Sequence, residues 1–296
     1  MVLMEVVSKL EGKTDEKRRD EILKILQANG YEYNLERYSY AGKNGINIIL
    51  EVGRGEKEIL LISHYDAFLG SPGANDNASA IAVSLDVYHK LIEYSKRGML
   101  NTKVKVIFFG DEEPTLTHSQ GRLGSRAYVE KHHEELQNMI AVYNLELCGI
   151  GNMLGIWPVT AENKDSLALE VLKKVADKLK VYYEEAGTLL GFFADYESFR
   201  EAGIKDAFCL TAVPSEEKDL LREYVEKQSL QLIARNILAL FIPKYEIPTP
   251  KLLQHYHNKE DKAIYLDETT LRMISDVTFN TIVNLDRKFR KKLERF

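Results

Sequence analysis

The chain has 296 residues, 45% of them hydrophobic and 29% charged, with 40 Lys and Arg against 45 Asp and Glu and a formal net charge of −5. A chain this long buries about 75% of the surface its unfolded form exposes, so its core needs no disulfide or structural-metal staple. The slightly acidic balance offers no basic footprint for nucleic acid, and no apolar run approaches the roughly 20 residues that span a bilayer, so neither is an expected partner.

The first residues, MVLMEVVSKLEGK, lack the charged and apolar blocks and the cleavage site of a secretory leader, so the expected compartment is the cytoplasm. The composition leaves a homo-oligomer open. Arg287, Lys288, Arg290, Lys291, Lys292 and Arg295 read as the solvated face of a terminal helix. Cys148 and Cys209 lie in apolar, strand-like segments and read as buried thiols rather than nucleophiles.

In chain order, Ile22, Leu23, Ile25 and Leu26 recur at helical spacing and predict a helix from about Thr14 to Asn29, closed by Asn29-Gly30. Two strand-like runs follow, 31–40 and 45–53, joined by a turn through GKNG. The run 58–66 is continuously apolar until His64, as in a strand buried on both faces. A helix is expected over 77–95 and a buried strand over 103–110. Next come a helix from Ser125 to Leu136, a strand over 139–147, a helix from about Lys164 to Leu179, a strand over 207–211, and helices from about Glu216 and Asp267. Strands alternating with helices imply an α/β fold: a three-layer sandwich whose mixed, mostly parallel central sheet carries helices on both faces.

In such sheets ligands bind beyond the carboxyl ends of the strands. His64 and Asp66 follow one apolar run, Asp111, Glu112 and Glu113 another, Glu146 interrupts a third, and Asp76 stands where a helix begins. Each has an ordinary explanation when taken singly: Asp76 as a helix N-cap, the Glu pair as solvated charge, His64 as a rim histidine. Together they do not, because carboxylates gathered at one sheet edge repel one another unless a dication joins them. Imidazole nitrogens and carboxylate oxygens are zinc ligands. Asp66, two residues beyond His64, shares its face if the strand continues and can orient the ring.

The blocks ILLISHYDA, SPGANDNASA, FFGDEEP, LGSRAYVE, NLELCG, ADYESFREAGI and YHNKED occur in an order that resembles the co-catalytic zinc exopeptidases, the group of bacterial leucyl-type aminopeptidases that also includes the glutaminyl cyclases. The resemblance runs from about residue 58 to 267. It implies one zinc on His64, Asp76 and Glu146, and a second on Asp76, Glu113 and His257, with Co²⁺ or Mn²⁺ as alternative ions. It further implies Glu112 as general base, Asp66 behind His64, and Asp195 and Tyr256 at the substrate pocket, with peptides as substrates. On this resemblance residues 1–296 form a single catalytic domain: an N-terminal helix and strands (1–56), a metal-binding core (57–267) and a C-terminal helix (268–296).

Four features depart from the family pattern. Glu146 stands where Asp is usual, Ala80 where Gly is, Tyr196 where His is common, and the loop PTLTHSQGRLGS is longer than in the compact aminopeptidases. Among the other histidines, His132 and His133 are expected on an exposed helix, His89 on a helix surface and His118 in a solvent-facing loop. His255 is the competitor of His257. The resemblance implies an aminopeptidase with two zincs. Its alternative is a one-zinc glutaminyl cyclase using Asp76, Glu113 and His257, with Glu112, Glu146 and Asp195 as a proton network. A non-catalytic module of the same fold would have no need of a ligating residue at every metal position.

Overall fold

Strand β3 (Glu58–His64) is buried along its whole length, as a strand covered on both faces must be. Its residues nevertheless alternate: Ile59 and Leu61 join one apolar cluster, Leu60 and Ile62 the other. The computed structural model describes residues 2–188, 194–224, 227 and 248–293. Around β3 it places β1 (Asn34–Tyr40), β2 (Lys43–Val52), β4 (Lys103–Phe109), β5 (Met139–Leu145), β6 (Met153–Trp157), β7 (Tyr183–Glu185) and β8 (Ala207–Val213). The sheet order is β1-β2-β4-β3-β5-β8-β6-β7. The centre, β4-β3-β5-β8, is parallel, while β1-β2, β2-β4 and β6-β8 are antiparallel.

Helices cover both faces. On one side α1 (Leu3–Leu10), α2 (Asp15–Ala28), α3 (Ser79–Lys96), α5 (Leu167–Leu179) and the long C-terminal α8 (Glu268–Leu293) share a cluster with Leu61, Val106, Tyr143 and Leu210 of the sheet. On the other, α4 (Leu123–Lys131) and α6 (Tyr196–Glu201) bring Tyr128 and Phe199 against Leu60, Ile107, Phe109 and Cys209. A short α7 (Lys251–Gln254) lies beyond the sheet. These layers are the α/β sandwich expected from the alternation of runs. Among the described residues no helix is long and apolar enough to cross a membrane.

The differences from the sequence reading are local. The hairpin turn falls on Ala41-Gly42, not on GKNG: Tyr40 pairs with Lys43, and Ala41 and Gly42 have φ of 50° and 80°, the paired left-handed residues of a two-residue turn that matches strand twist. The helix expected over 125–136 is α4, ending at Lys131, with a separate 3₁₀ turn at Leu136–Asn138. Helices α1 and α6 and strands β6 and β7 were not anticipated. The helix expected from Glu216 starts as a 3₁₀ turn, continues over 218–224, and then passes outside the described residues.

Candidate metal centre

The parallel strands end side by side, and their ends supply the site. His64 is the last residue of β3, Asp111 to Glu113 follow β4, and Glu146 follows β5. Asp76 comes from a tight turn, Ala74–Ala78, in which its own φ and ψ of −112° and 89° leave helical geometry. It does not cap α3, whose N-cap is Ala78 with no side-chain bond. His257, at φ 57°, follows α7.

Asp76 lies between the two imidazoles. Its Oδ1 is 3.2 Å from His64 Nε2, and its Oδ2 is 3.3 Å from His257 Nε2. Glu146 Oε2 completes one group at 3.4 Å from His64 Nε2, and Glu113 Oε2 the other at 3.2 Å from His257 Nε2. The sets His64-Asp76-Glu146 and Asp76-Glu113-His257 each have their ligand atoms close enough to hold one ion. A third set, His64-Glu112-Glu113, is also within reach, but Glu112 Oε2 is 3.9 Å from His64 Nε2, farther than either carboxylate of the first set.

The donor chemistry fits a dication. All these carboxylates are buried, yet Asp76 Oδ2 and both oxygens of Glu113 have no hydrogen-bond partner. Carboxylate oxygens left unpaired away from water are costly. Asp76 Oδ2 and Glu113 Oε2 stand 3.3 and 3.2 Å from His257 Nε2, close enough for the three side chains to hold one ion between them. For His64, Nδ1 lies 3.2 Å from the Asp66 carbonyl and 3.4 Å from its carboxylate. A proton on Nδ1 satisfies that contact and leaves Nε2 free for a metal.

The electrostatics record the crowding. Burial and the charge of Asp76 push Glu113 up to about 7. Burial raises Glu112 well above the usual carboxylate range; Glu113, Asp195 and Glu146 add to this against the pull of His64. For His257 burial lowers the pKa, but Asp76 and Glu113 outweigh it and bring it to about 9. His64 is likewise raised, against its own burial, by the charges of Glu146 and Glu112 and its contacts with Asp66 and Asp76.

Neighbours fix the ligands. Glu146 accepts hydrogen bonds from Asn77 Nδ2 at 2.6 Å and Asn144 Nδ2 at 2.9 Å. Asp66 Oδ2 accepts the Glu113 amide at 2.9 Å, so the residue behind His64 also holds the Glu pair. The His257 ring stacks on Phe68 at 4.1 Å and on Tyr256 at 3.7 Å. Asp261 accepts the amides of Asn75 and Asp76 at 2.7 and 3.1 Å.

A cavity opens on this cluster, lined by His64, Asp76, Glu112, Glu113 and Glu146 on its polar side and by Leu147, Trp157, Ala194 and Tyr256 on its apolar side. Asp195 is fully buried beside it, its charge reaching Glu112; burial pushes it up to about 7. The nine residues that the resemblance assigns to the site thus meet in one place; Asp111, also noted at a strand end, pairs instead with Tyr38 and Lys43. His255 does not join them and stacks on Tyr265. His118 bonds to the Ala41 carbonyl rather than facing solvent alone, and His132, expected on an exposed helix, is tied to Glu36 and Glu135. Cys148 and Cys209 are buried free thiols, as expected. Nothing in the sequence marks Asn77, Phe68, Asp261 or Leu147 as part of this site, and Asn144 is marked only weakly, two residues before Glu146 and on the same strand face.

Known proteins share this arrangement of chain. The aminopeptidase YwaD of Bacillus subtilis is 27% identical over 183 residues, 61% of this chain and 38% of the relative, so the chain spans well under half of that relative's length. A Zn-dependent exopeptidase from Parabacteroides distasonis superposes with a TM-score of 0.67 at 13% identity, covering 96% of this chain and 97% of its own. A glutaminyl cyclase from an Acidobacteriales bacterium does so with 0.63 at 15% identity, covering 97% and 94%. These two likenesses establish a shared fold. Residues 47–282, which carry every candidate ligand from His64 to His257, match Peptidase family M28; the chain belongs to that family.

Proposed function

We propose that the protein is a zinc-dependent aminopeptidase that removes N-terminal residues from peptides at a two-ion site, with residues 1–296 acting as one catalytic unit. The observation that carries this reading is the Asp76 carboxylate, with one oxygen facing His64 and the other facing His257. A carboxylate so placed joins two ligand sets. His64, Asp76 and Glu146 would hold one zinc, and Asp76, Glu113 and His257 the other. Zinc there would supply Lewis acidity, making an attacking water acidic and polarising the scissile carbonyl.

The remaining steps belong to the chain. Glu112 adjoins the ligand Glu113 but is the most distant carboxylate from His64 Nε2 among those around it. Its carboxylate takes the proton of the attacking water and hands it to the leaving amine. Asp66 keeps the His64 ring turned and anchors the Glu113 amide. The surplus of carboxylate over imidazole attracts a cationic α-amine. Leu147, Trp157, Ala194 and Tyr256 give the substrate side chain an apolar wall.

Mass spectrometry of two peptides, one beginning with leucine and one with glutamine, tests this with zinc-loaded protein. Release of free N-terminal residues from both is expected. Loss of ammonia from the glutamine peptide alone, with no residue released from either, would overturn the peptidase reading in favour of cyclisation.

A further inference from the structure

Helix α2 lies outside the residues matched by the family, which begin at 47, yet it sends a buried charge to the loop that leads into Asp76. Arg18 is fully buried on it among Ile22, Ile25 and Leu26. Its Nη2 donates to the Gly73 carbonyl at 2.9 Å and its Nη1 to the Pro72 carbonyl at 3.4 Å. Two neighbours extend the attachment: Gly12 N donates to the Pro72 carbonyl at 2.8 Å, and Asp15 Oδ1 accepts the Ala67 amide at 3.2 Å.

The same loop is gripped from its other side. Ala74 N donates to the Asp261 carbonyl at 3.3 Å, and the Asp261 carboxylate accepts the amides of Asn75 and Asp76. Every residue from Pro72 to Asp76 therefore has a backbone group held, by Arg18 at the start and Asp261 at the end. Gly73, at φ 66°, lies so close to the guanidinium that a Cβ there would stand 2.2 Å from Nη1. We propose that Arg18 is a positioning residue for the Asp76 carboxylate, fixing the loop 72–76 so that the one ligand shared by both metal sites is in place in advance. This inference rests on the two-ion reading.

The two contributions that a buried guanidinium can make to a metal site have opposite signs. As a fixed positive charge it opposes incoming dications, so its removal would tighten their binding. As a clamp on the loop that carries Asp76 it favours them, so its removal would loosen binding by about 10- to 100-fold, the usual effect of losing a residue that orients a ligand. An apolar residue on α2 would avoid the desolvation of a charge altogether. The bonds to two successive carbonyls give the guanidinium a geometric task that neither an apolar side chain nor a point charge performs.

The experiment is a Co²⁺ titration of the metal-free full chain, followed by its visible absorption and by competition with a chelator of known affinity. Wild type, Arg18→Met, Arg18→Lys and His257→Ala are compared, and circular dichroism reports folding. Arg18→Met is expected to bind Co²⁺ about 10- to 100-fold more weakly with a changed absorption band, and Arg18→Lys to fall between it and wild type. Wild-type or tighter affinity in Arg18→Met would overturn the positioning role. Should Arg18→Met not fold, Arg18→Lys decides alone: wild-type affinity and spectrum would overturn the role, weaker binding with a shifted band would support it. His257→Ala marks the signal of a broken site. Failure of the wild-type chain to bind Co²⁺ at all would overturn the two-ion reading, and this inference with it; wild-type binding that Arg18→Met leaves unchanged would overturn Arg18 alone.

Discussion

Glu112 and Glu113 are adjacent in the chain, and the proposed mechanism gives them different tasks. Glu113 faces His257 at 3.2 Å, while Glu112 stays 3.9 Å from His64. Glu112→Gln keeps the shape and the proposed metal ligands but removes the proposed proton acceptor. Turnover should fall by about 10²- to 10⁴-fold while zinc content, read by atomic absorption, stays at the wild-type level. Asn144→Ala deletes one of two amide donors to Glu146 and should weaken metal binding on the His64 side by about 10-fold in the same kind of titration. Among the candidate ligands, His64, Glu113 and Glu146 were legible because each follows an apolar run whose end the sequence marks, whereas Asp76 showed only as the start of a helix and His257 only through the resemblance. Their supports were not: Phe68 acts by ring stacking, Asn77 by its side-chain amide and Asp261 by accepting backbone amides, and only the folded chain brings them there.

At the scale of elements, the β1-β2 hairpin braces the loop that carries the Glu pair. Tyr38 Oη donates to Asp111 Oδ2 at 2.6 Å, Lys43 pairs with Asp111 Oδ1 at 3.2 Å, and Asp111 itself turns at φ 56°. Gly45 permits this approach: a Cβ there would stand 2.2 Å from the Tyr38 ring and 2.6 Å from Asp111 Oδ2. Gly45→Ala should therefore destabilise the fold by about 1–3 kcal/mol, measured by urea unfolding.

Helix α4 is tied to β1 by charge. His132 Nε2 stands 2.8 Å and Lys131 Nζ 2.7 Å from Glu36 Oε2. The Glu36 contact raises His132 above 6.5, and burial of Glu36 is outweighed by His132 and Lys131, which hold it below 4.5. A raised histidine stabilises fully below its unfolded pKa and loses that contribution as pH rises through its folded one; the lowered glutamate does the reverse. The pair thus contributes most between about 4.5 and 6.5. The difference in melting temperature between wild type and His132→Gln should be largest in that window and shrink above it. A difference that does not vary with pH would contradict the assignment. The sequence pointed to none of this, since EKHHEE reads as a solvated helix face until β1 packs against it.

For the whole molecule, the buried parallel strands and long helices were readable because their apolar runs have lengths and periods that few other structures share. Strands β6 and β7 and helix α6 have five, three and six residues, too few for a period to declare itself. Helix α1 buries Leu3, Val6, Val7 and Leu10 at helical spacing, but eight residues are too few to declare a helix, and the C-terminal helix helps to hold its start: Glu268 accepts the amides of Leu3 and Met4 at 3.3 and 2.8 Å. The chain's two ends thus close the helical layer over α3. Leu271, fully buried on α8, links that layer together, and Leu271→Ala should cost about 2–5 kcal/mol of stability in the same urea assay.

If a shared carboxylate joins two ions for cleavage beside a free amine, hydrolysis requires both the ions and the amine. A leucine-started peptide and its N-acetylated form are incubated with the protein after chelation and after zinc is restored, and released leucine is measured. Release is expected only from the free-amine peptide, and only with zinc restored. Equal release from the acetylated peptide, or full activity in the chelated protein, would contradict it.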